Sequence, residues 1–181
     1  MLIIDSNLSG LVKDYGICDR SLIETFCLKI RLSSNYFKFK ENGGVPPTIK
    51  YGFYDYNYHE YYEEVRDEGS SITLEPGQQI LACSYDDYKF PNNVFGLVQT
   101  KGTLARLFVQ ITCNDGQIEP GYQGKITLEI VNLSPFKVEL PFFSNIGQIY
   151  LFNCSMTTET PYNGRYANAK GPTLPNFLDW M

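Results

Sequence analysis

Glu129 stands in the run Gly124-Lys125-Ile126-Thr127-Leu128-Glu129-Ile130-Val131-Asn132. A period of two puts Ile126, Leu128 and Ile130 on one face and Thr127, Glu129 and Val131 on the other. A carboxylate held between apolar neighbours is a candidate general base. The same pattern fits an exposed Glu on a solvent face. Just upstream, Gln117 to Gly124 (QIEPGYQG) reads as a tight hairpin pinned by Pro120, Gly121 and Gly124. It carries Glu119 and Tyr122, and Asp115 precedes it.

A second cluster is Lys101-Gly102-Thr103-Leu104-Ala105-Arg106. Turn amides, a Thr hydroxyl and a Lys are the parts of a phosphate cradle. A surface turn with solvated charges has the same composition. A third cluster is the Gly- and Pro-rich C-terminal stretch with Tyr162, Arg165, Tyr166 and Lys170. Aromatic rings and cations on such a segment suit closure over a planar anion. A solvated tail reads alike.

Other chemistries find no support. A zinc deaminase needs H-x-E and P-C-x-x-C. His59 is the one histidine, Glu60 follows it directly, and Cys18, Cys27, Cys83, Cys113 and Cys154 form no close pair. A catalytic zinc takes three protein ligands, so no protein-bound metal is expected. A Ser-His-Asp site would have to use His59, inside a tyrosine-rich stretch. Neither a Walker motif nor a dinucleotide glycine fingerprint is present. Five scattered cysteines fit free thiols in a reducing compartment, buried as packing residues.

The elements that must position these residues are mostly strands. Phe26, Leu28, Ile30 and Leu32 alternate with Cys27, Lys29 and Arg31, and Asn35 to Lys40 continues the alternation. Residues 41–47 read as a loop. Residues 51–64 are dense in Tyr and fit an edge strand or an inserted loop, the latter suited to a protein contact. Residues 71–91 read as strand, Pro76-Gly77 turn, strand, and a second turn near Pro91. Strand character recurs in NVFGLVQT, ARLFVQITC, KITLEIVNL, KVELPFF and IGQIYLFNC. Residues 2–11 suit a short helix or a capped lead-in. Strands at this spacing with turn signals predict an all-β sandwich, jelly roll or barrel.

Composition sets the frame. The chain has 181 residues, 43% hydrophobic and 19% charged, which suits a single globular domain. A net charge of −5 argues against a protein held to nucleic acid by charge alone. No apolar run reaches about 18 residues, so no membrane span is expected. The opening MLIIDSNLSG lacks a basic segment, so no signal peptide and a cytoplasmic location are expected.

TKGTLARLF, IEPGYQGKITLEIVN, IGQIYLF and PYNGRYANAKGP occur in that order, within residues 72–175. Together they resemble the dCTP deaminases and bifunctional dCTP deaminase–dUTPases of the trimeric dUTPase superfamily. FCLKIRLS and LEPGQQILA resemble its earlier strands, and residues 41–70 match most weakly. The resemblance implies a distorted jelly-roll-like β fold in one domain, residues 1–181, with residues 161–181 closing over the site. It implies a homotrimer with sites between subunits. It also implies metal-free deamination of dCTP to dUTP, with Mg²⁺ accompanying the triphosphate. Glu129 falls on the family's general base and Arg106 on its supporting arginine. Lys101, Thr103, Tyr162 and Arg165 fall on triphosphate-contacting positions. Gly102, Asp115, Glu119, Tyr122 and Lys170 complete the candidate substrate-binding set.

Departures from the pattern are specific. Gly102 stands where the family has a catalytic serine. Ala169 replaces a nucleotide-contacting glutamine, Lys29 an aspartate, and Phe142-Phe143 a Pro-Gly. Glu119 replaces the aspartate that is catalytic in dUTPases. Three functions follow: a dCTP deaminase, a silent nucleotide-binding member that sequesters or regulates, and a dUTPase.

Overall fold

The computed structural model describes residues 1–40, 48–49, 51, 57–67 and 69–176. The loop expected at 41–47 and most of the densest tyrosine run, 52–56, lie outside the described residues. Chain order begins with helix α1, Asp5–Tyr15, which buries Leu8 and Val12. Gly16 ends it in the left-handed region (φ 62°), and its N–H closes on the Val12 carbonyl. The lead-in is thus a helix of three turns.

Among the described residues, twelve strands follow. They are β1 Leu28–Phe39, β2 Tyr62–Val65, β3 Ser71–Leu74, β4 Gln79–Ser84, β5 Tyr88–Lys89 and β6 Val94–Thr100. The rest are β7 Val109–Gln110, β8 Gln117–Ile118, β9 Gln123–Gly124, β10 Thr127–Asn132, β11 Val138–Pro141 and β12 Asn145–Asn153. A four-residue helix, α2, Gly102–Ala105, lies between β6 and β7. No helix among the described residues is long and apolar enough to cross a membrane.

The main sheet runs β7-β10-β4-β1-β12-β6-β8, with β2 added to β1. Every named strand pairing is antiparallel. β1 is the hinge of the curl. Its first residues, Leu28 to Arg31, pair with β12; Leu32 onward pairs with β4. The register slips between Ile30 and Arg31, and again between Leu32 and Tyr36. Slips of this kind bend a strand and let it pass from one layer to the next. The alternation therefore fails at Ser33 and Ser34, both buried. Phe26 falls before the strand and is 55% exposed, against the expected inward face.

Leu28, Ile30 and Leu32 of β1 meet Leu128 and Ile130 of β10 and Ile149 and Leu151 of β12 in one core. Two smaller ladders, β3 with β11 and β5 with β9, add Ile72, Leu74, Tyr88, Val138 and Leu140 to it. At the end of β10, buried Asn132 ties two turns together. Its Nδ2 donates to the carbonyls of Leu74, Glu75 and Phe136, and its Oδ1 accepts from Ser134. Such a satisfied polar network fixes one arrangement of the loops around it.

Three local expectations change. ARLFVQITC is largely non-strand: α2 winds residues 102–105, Phe108 sits at φ 56°, and only Val109 and Gln110 pair. Residues 117–124 turn as expected, with Tyr122 N–H on Glu119 O, and yet form no hairpin. β8 pairs with β6 and β9 with β5. Of the cysteines, Cys27 and Cys83 are buried, whereas Cys113 is exposed. Residues 62–65 form the edge strand, β2, after a turn of 3-10 helix at Tyr58–Glu60.

Candidate active site

β10 carries Glu129 into the wall of a cavity of about 670 Å³. The apolar face of β10 fills the core, so Thr127 and Glu129 are left on the cavity side. The loop before β8 meets the carboxylate. Asn114 N–H donates to Glu129 Oε2 at 2.9 Å, and Asp115 N–H donates to the same atom at 3.3 Å. Cys113 N–H is held by the Glu129 carbonyl, so loop and strand are locked together. Two amide donors stabilise a carboxylate and fix its rotamer.

Asp115, Glu119, Tyr122, Tyr162 and Arg165 line the same cavity. Six of the candidate residues, Glu129 included, therefore converge. Tyr122 is buried, and its hydroxyl donates to the Lys125 carbonyl. Burial pushes its phenol well above the usual range, so it stays protonated. Its ring and that of Tyr162 lie 5.7 Å apart at 44°. Burial also raises the Tyr162 phenol. Tyr122 thus offers a ring to a ligand while its hydroxyl serves the fold.

The C-terminal stretch roofs this cavity. Tyr162 N–H donates to Pro120 O, Asn168 N–H to Gln123 O, and Lys125 N–H to Ala169 O. Further along, Thr173 pairs with Thr127, hydroxyl to hydroxyl at 2.9 Å, two residues from Glu129. The close approach requires glycine. Gly124 has φ 125°, and a Cβ there would lie 2.6 Å from Ala169 N. Gly121 has φ 91°, and a Cβ there would lie 2.7 Å from Pro161. Two glycines read as hairpin residues are in fact the seat of the tail.

The Lys101 cluster is elsewhere in the chain. Lys101, Gly102, Thr103 and Arg106 do not line the cavity. Thr103 and Arg106 are exposed, and the Arg106 guanidinium folds back to donate to Gly102 O at 2.7 Å. β6 carries this turn away from β10: Lys101 N–H is anchored on Ile146 O, at the start of β12. Lys170, next to the buried Ala169, points to solvent and is also outside the cavity. Arg106 and Glu129 therefore do not meet within one chain. The loop amides of Asn114 and Asp115, and Thr173, are site features that the sequence did not mark. Backbone donors carry no side-chain signature.

Comparison with known proteins bears on the family and the fold. A family model described as dCTP deaminase-like matches residues 20–154. A dUMP-forming dCTP deaminase of Thermobifida fusca is 29% identical over 96% of this chain and 91% of its own. One from Dictyoglomus thermophilum is 30% identical over 83% of this chain and 78% of its own. Among solved structures, the 2'-deoxycytidine 5'-triphosphate deaminase of Agrobacterium tumefaciens superposes with a TM-score of 0.70 at 12% identity. That match covers 86% of this chain, which spans about half (49%) of the other. The family match runs from before β1 to the end of β12 and places the chain in the dCTP deaminase-like family.

Proposed function

We propose that the chain binds dCTP under its C-terminal segment and hydrolyses the 4-amino group, yielding dUTP and ammonia. The observation that carries this reading is Glu129, a half-buried carboxylate on a cavity wall, oriented by two loop amides. In the reaction, water attacks C4 of the cytosine. Glu129 takes a proton from that water and delivers it to the departing amine. The Tyr122 and Tyr162 rings form a flat wall, and Arg165 supplies charge for the phosphates. Mg²⁺ enters as part of the triphosphate substrate.

Glu119 favours a further step. It lines the same cavity as Glu129, and the relatives above are named dUMP-forming. A second hydrolysis, releasing pyrophosphate, would give dUMP. Gly102 favours a silent binder instead, because its position offers no hydroxyl. Chromatography of products after incubation with dCTP separates the three. dUTP supports the proposal, dUMP adds the second hydrolysis, and binding without turnover leaves the silent reading. Absence of both binding and turnover overturns all three.

A homotrimer completes such a site. The Lys101 turn lies beside four exposed apolar side chains, Leu107, Phe108, Leu133 and Phe136, and Leu133 N–H bonds Phe108 O. Patches of this kind are covered by partners. A second copy seated here would carry Arg106 towards a neighbouring cavity. Light scattering is expected to read three times the chain mass of 20.7 kDa. A monomer at micromolar concentration would remove the shared-site argument.

Closure by the tail is part of the proposal. Deleting residues 161–181 removes Tyr162, Arg165 and the Thr173 contact together. dCTP affinity should fall about tenfold or more, or about 1.4 kcal/mol, by calorimetry. Unchanged affinity would make the segment a strap between subunits or a solvated end.

A further inference from the structure

Thr127 and Glu129 stand on the cavity side of β10, one alternation apart. Same-face neighbours on a strand lie about 6.6 Å from one another. The C-terminal segment engages the Thr127 hydroxyl twice. Thr127 Oγ1 accepts the Thr173 N–H at 3.1 Å and pairs with the Thr173 hydroxyl at 2.9 Å. The Thr127 backbone stays in the sheet, opposite Cys83 of β4. The contact therefore fastens the segment to the strand that carries the carboxylate.

The segment is also held upstream, where Asn168 N–H donates to Gln123 O and Lys125 N–H to Ala169 O. Between the two anchors lie Lys170, Gly171 and Pro172. Glycine leaves the backbone free and proline has no N–H to donate, so this link does little to set its own path. Where the chain comes down beside Glu129 is set at Thr173, and Pro175 beyond it lines the same cavity. Threonine suits the task, because a β-branched side chain has few χ1 choices and points its hydroxyl in a fixed direction. We propose that Thr127 is a positioning residue for the reaction at Glu129. Its hydroxyl holds Thr173 and thereby sets the register of the C-terminal segment over the carboxylate. The role rests on reading this cavity as the dCTP site. A substrate misplaced there by about 1 Å loses on the order of 10²-fold in rate.

Four variants of the full chain test the proposal: Thr127→Val, Thr127→Ser, Thr173→Val and Thr127→Val combined with Thr173→Val. Val keeps the branched shape without the hydroxyl, and Ser keeps the hydroxyl. Thr127→Val is expected to lower kcat/KM for dCTP about tenfold or more, and Thr127→Ser to stay within about threefold of the parent. Thr173→Val keeps its N–H and loses half of the contact, so it should fall between the parent and Thr127→Val. The combined variant should be no worse than Thr127→Val alone, because the contact is already gone. Amide hydrogen exchange gives a readout that needs no nucleotide. The acceptor of the Asn168 amide, Gln123 O, is untouched by these changes. That amide should nevertheless exchange about tenfold faster in Thr127→Val and at the parent rate in Thr127→Ser.

Parent turnover in Thr127→Val overturns the proposal. Turnover lost without faster exchange at Asn168 overturns it too, since Thr127 would then act on the ligand and not through the segment. Thr127→Ser no better than Thr127→Val would assign the effect to packing, and losses that multiply in the combined variant would mean two separate roles. Either result sinks the contact as the positioning device. Thr173→Val, a change on the segment itself, carries the test should Thr127→Val not fold. In a chain that does not turn over dCTP, exchange at Asn168 decides alone. Faster exchange in Thr127→Val, restored in Thr127→Ser, would keep the anchor and sink the reading of the cavity; unchanged exchange would sink the anchor.

Discussion

Glu129→Gln is expected to reduce dCTP deamination by about 10³-fold or more, while dCTP affinity stays within about threefold of the parent. A positioned general base contributes roughly 10²–10⁴-fold, and Gln cannot take the proton from water. It does keep the length and planarity of the side chain. Its amide oxygen can still accept from Asn114 and Asp115, the donors that hold Oε2 in the parent. The loop at 113–115 should therefore remain docked on β10, and the thermal midpoint should move little. Single-turnover kinetics with calorimetry on the same samples separates the outcomes. Turnover at the parent rate shows that Glu129 is not the base. Loss of binding together with a lowered midpoint would assign the carboxylate to holding the loop.

How far the sequence discloses such a site depends on whether local pattern or distant pairing decides the geometry. β10 is legible because Leu128 and Ile130 must face the core, which leaves Glu129 on the other side. Tyr162, Arg165 and Glu119 are legible through the family motifs that contain them. Residues 104–111 mislead for a physical reason. Leu107 and Phe108 are apolar and yet 46% and 67% exposed, and hydrophobicity alone does not distinguish a core from a surface awaiting a partner. The turn at Pro120-Gly121 is local and readable. The pairing of β8 with β6 and of β9 with β5 is long-range and leaves no mark in residues 117–124. Ala169 shows the same limit. The resemblance aligns it with a ligand-contacting glutamine, but here it is buried, with its backbone against Gly124.

Gly102→Ser is expected to raise dCTP deamination by about 10²–10³-fold over a slow parent. The estimate follows from the cost of losing one preorganised donor at a reacting centre, about 2.7–4 kcal/mol. The site can accept the change. Gly102 is the first residue of α2, its backbone is outside the positive-φ region, and a Cβ there would meet only the Arg106 guanidinium, at 3.1 Å. Arg106 is an exposed, flexible side chain that can give by a few tenths of an ångström. The displacement would itself be useful under the proposed trimer, since Nη1 now closes back on Gly102 O and would have to leave it to reach Glu129 of a neighbouring copy. The gain therefore requires both the trimer and the family arrangement of the Lys101 turn. Two controls make the result decisive. Gly102→Ala restores bulk without a hydroxyl and should leave the rate near the parent's. Gly102→Ser combined with Glu129→Gln should return it to the floor. A rate that is unchanged or lower in Gly102→Ser, in a protein that is trimeric and binds dCTP, would mean that a backbone group or a water already fills the role. A parent that turns over dCTP rapidly would agree with that outcome. An equal gain in Gly102→Ala would assign the effect to the freed Arg106 guanidinium instead of the hydroxyl.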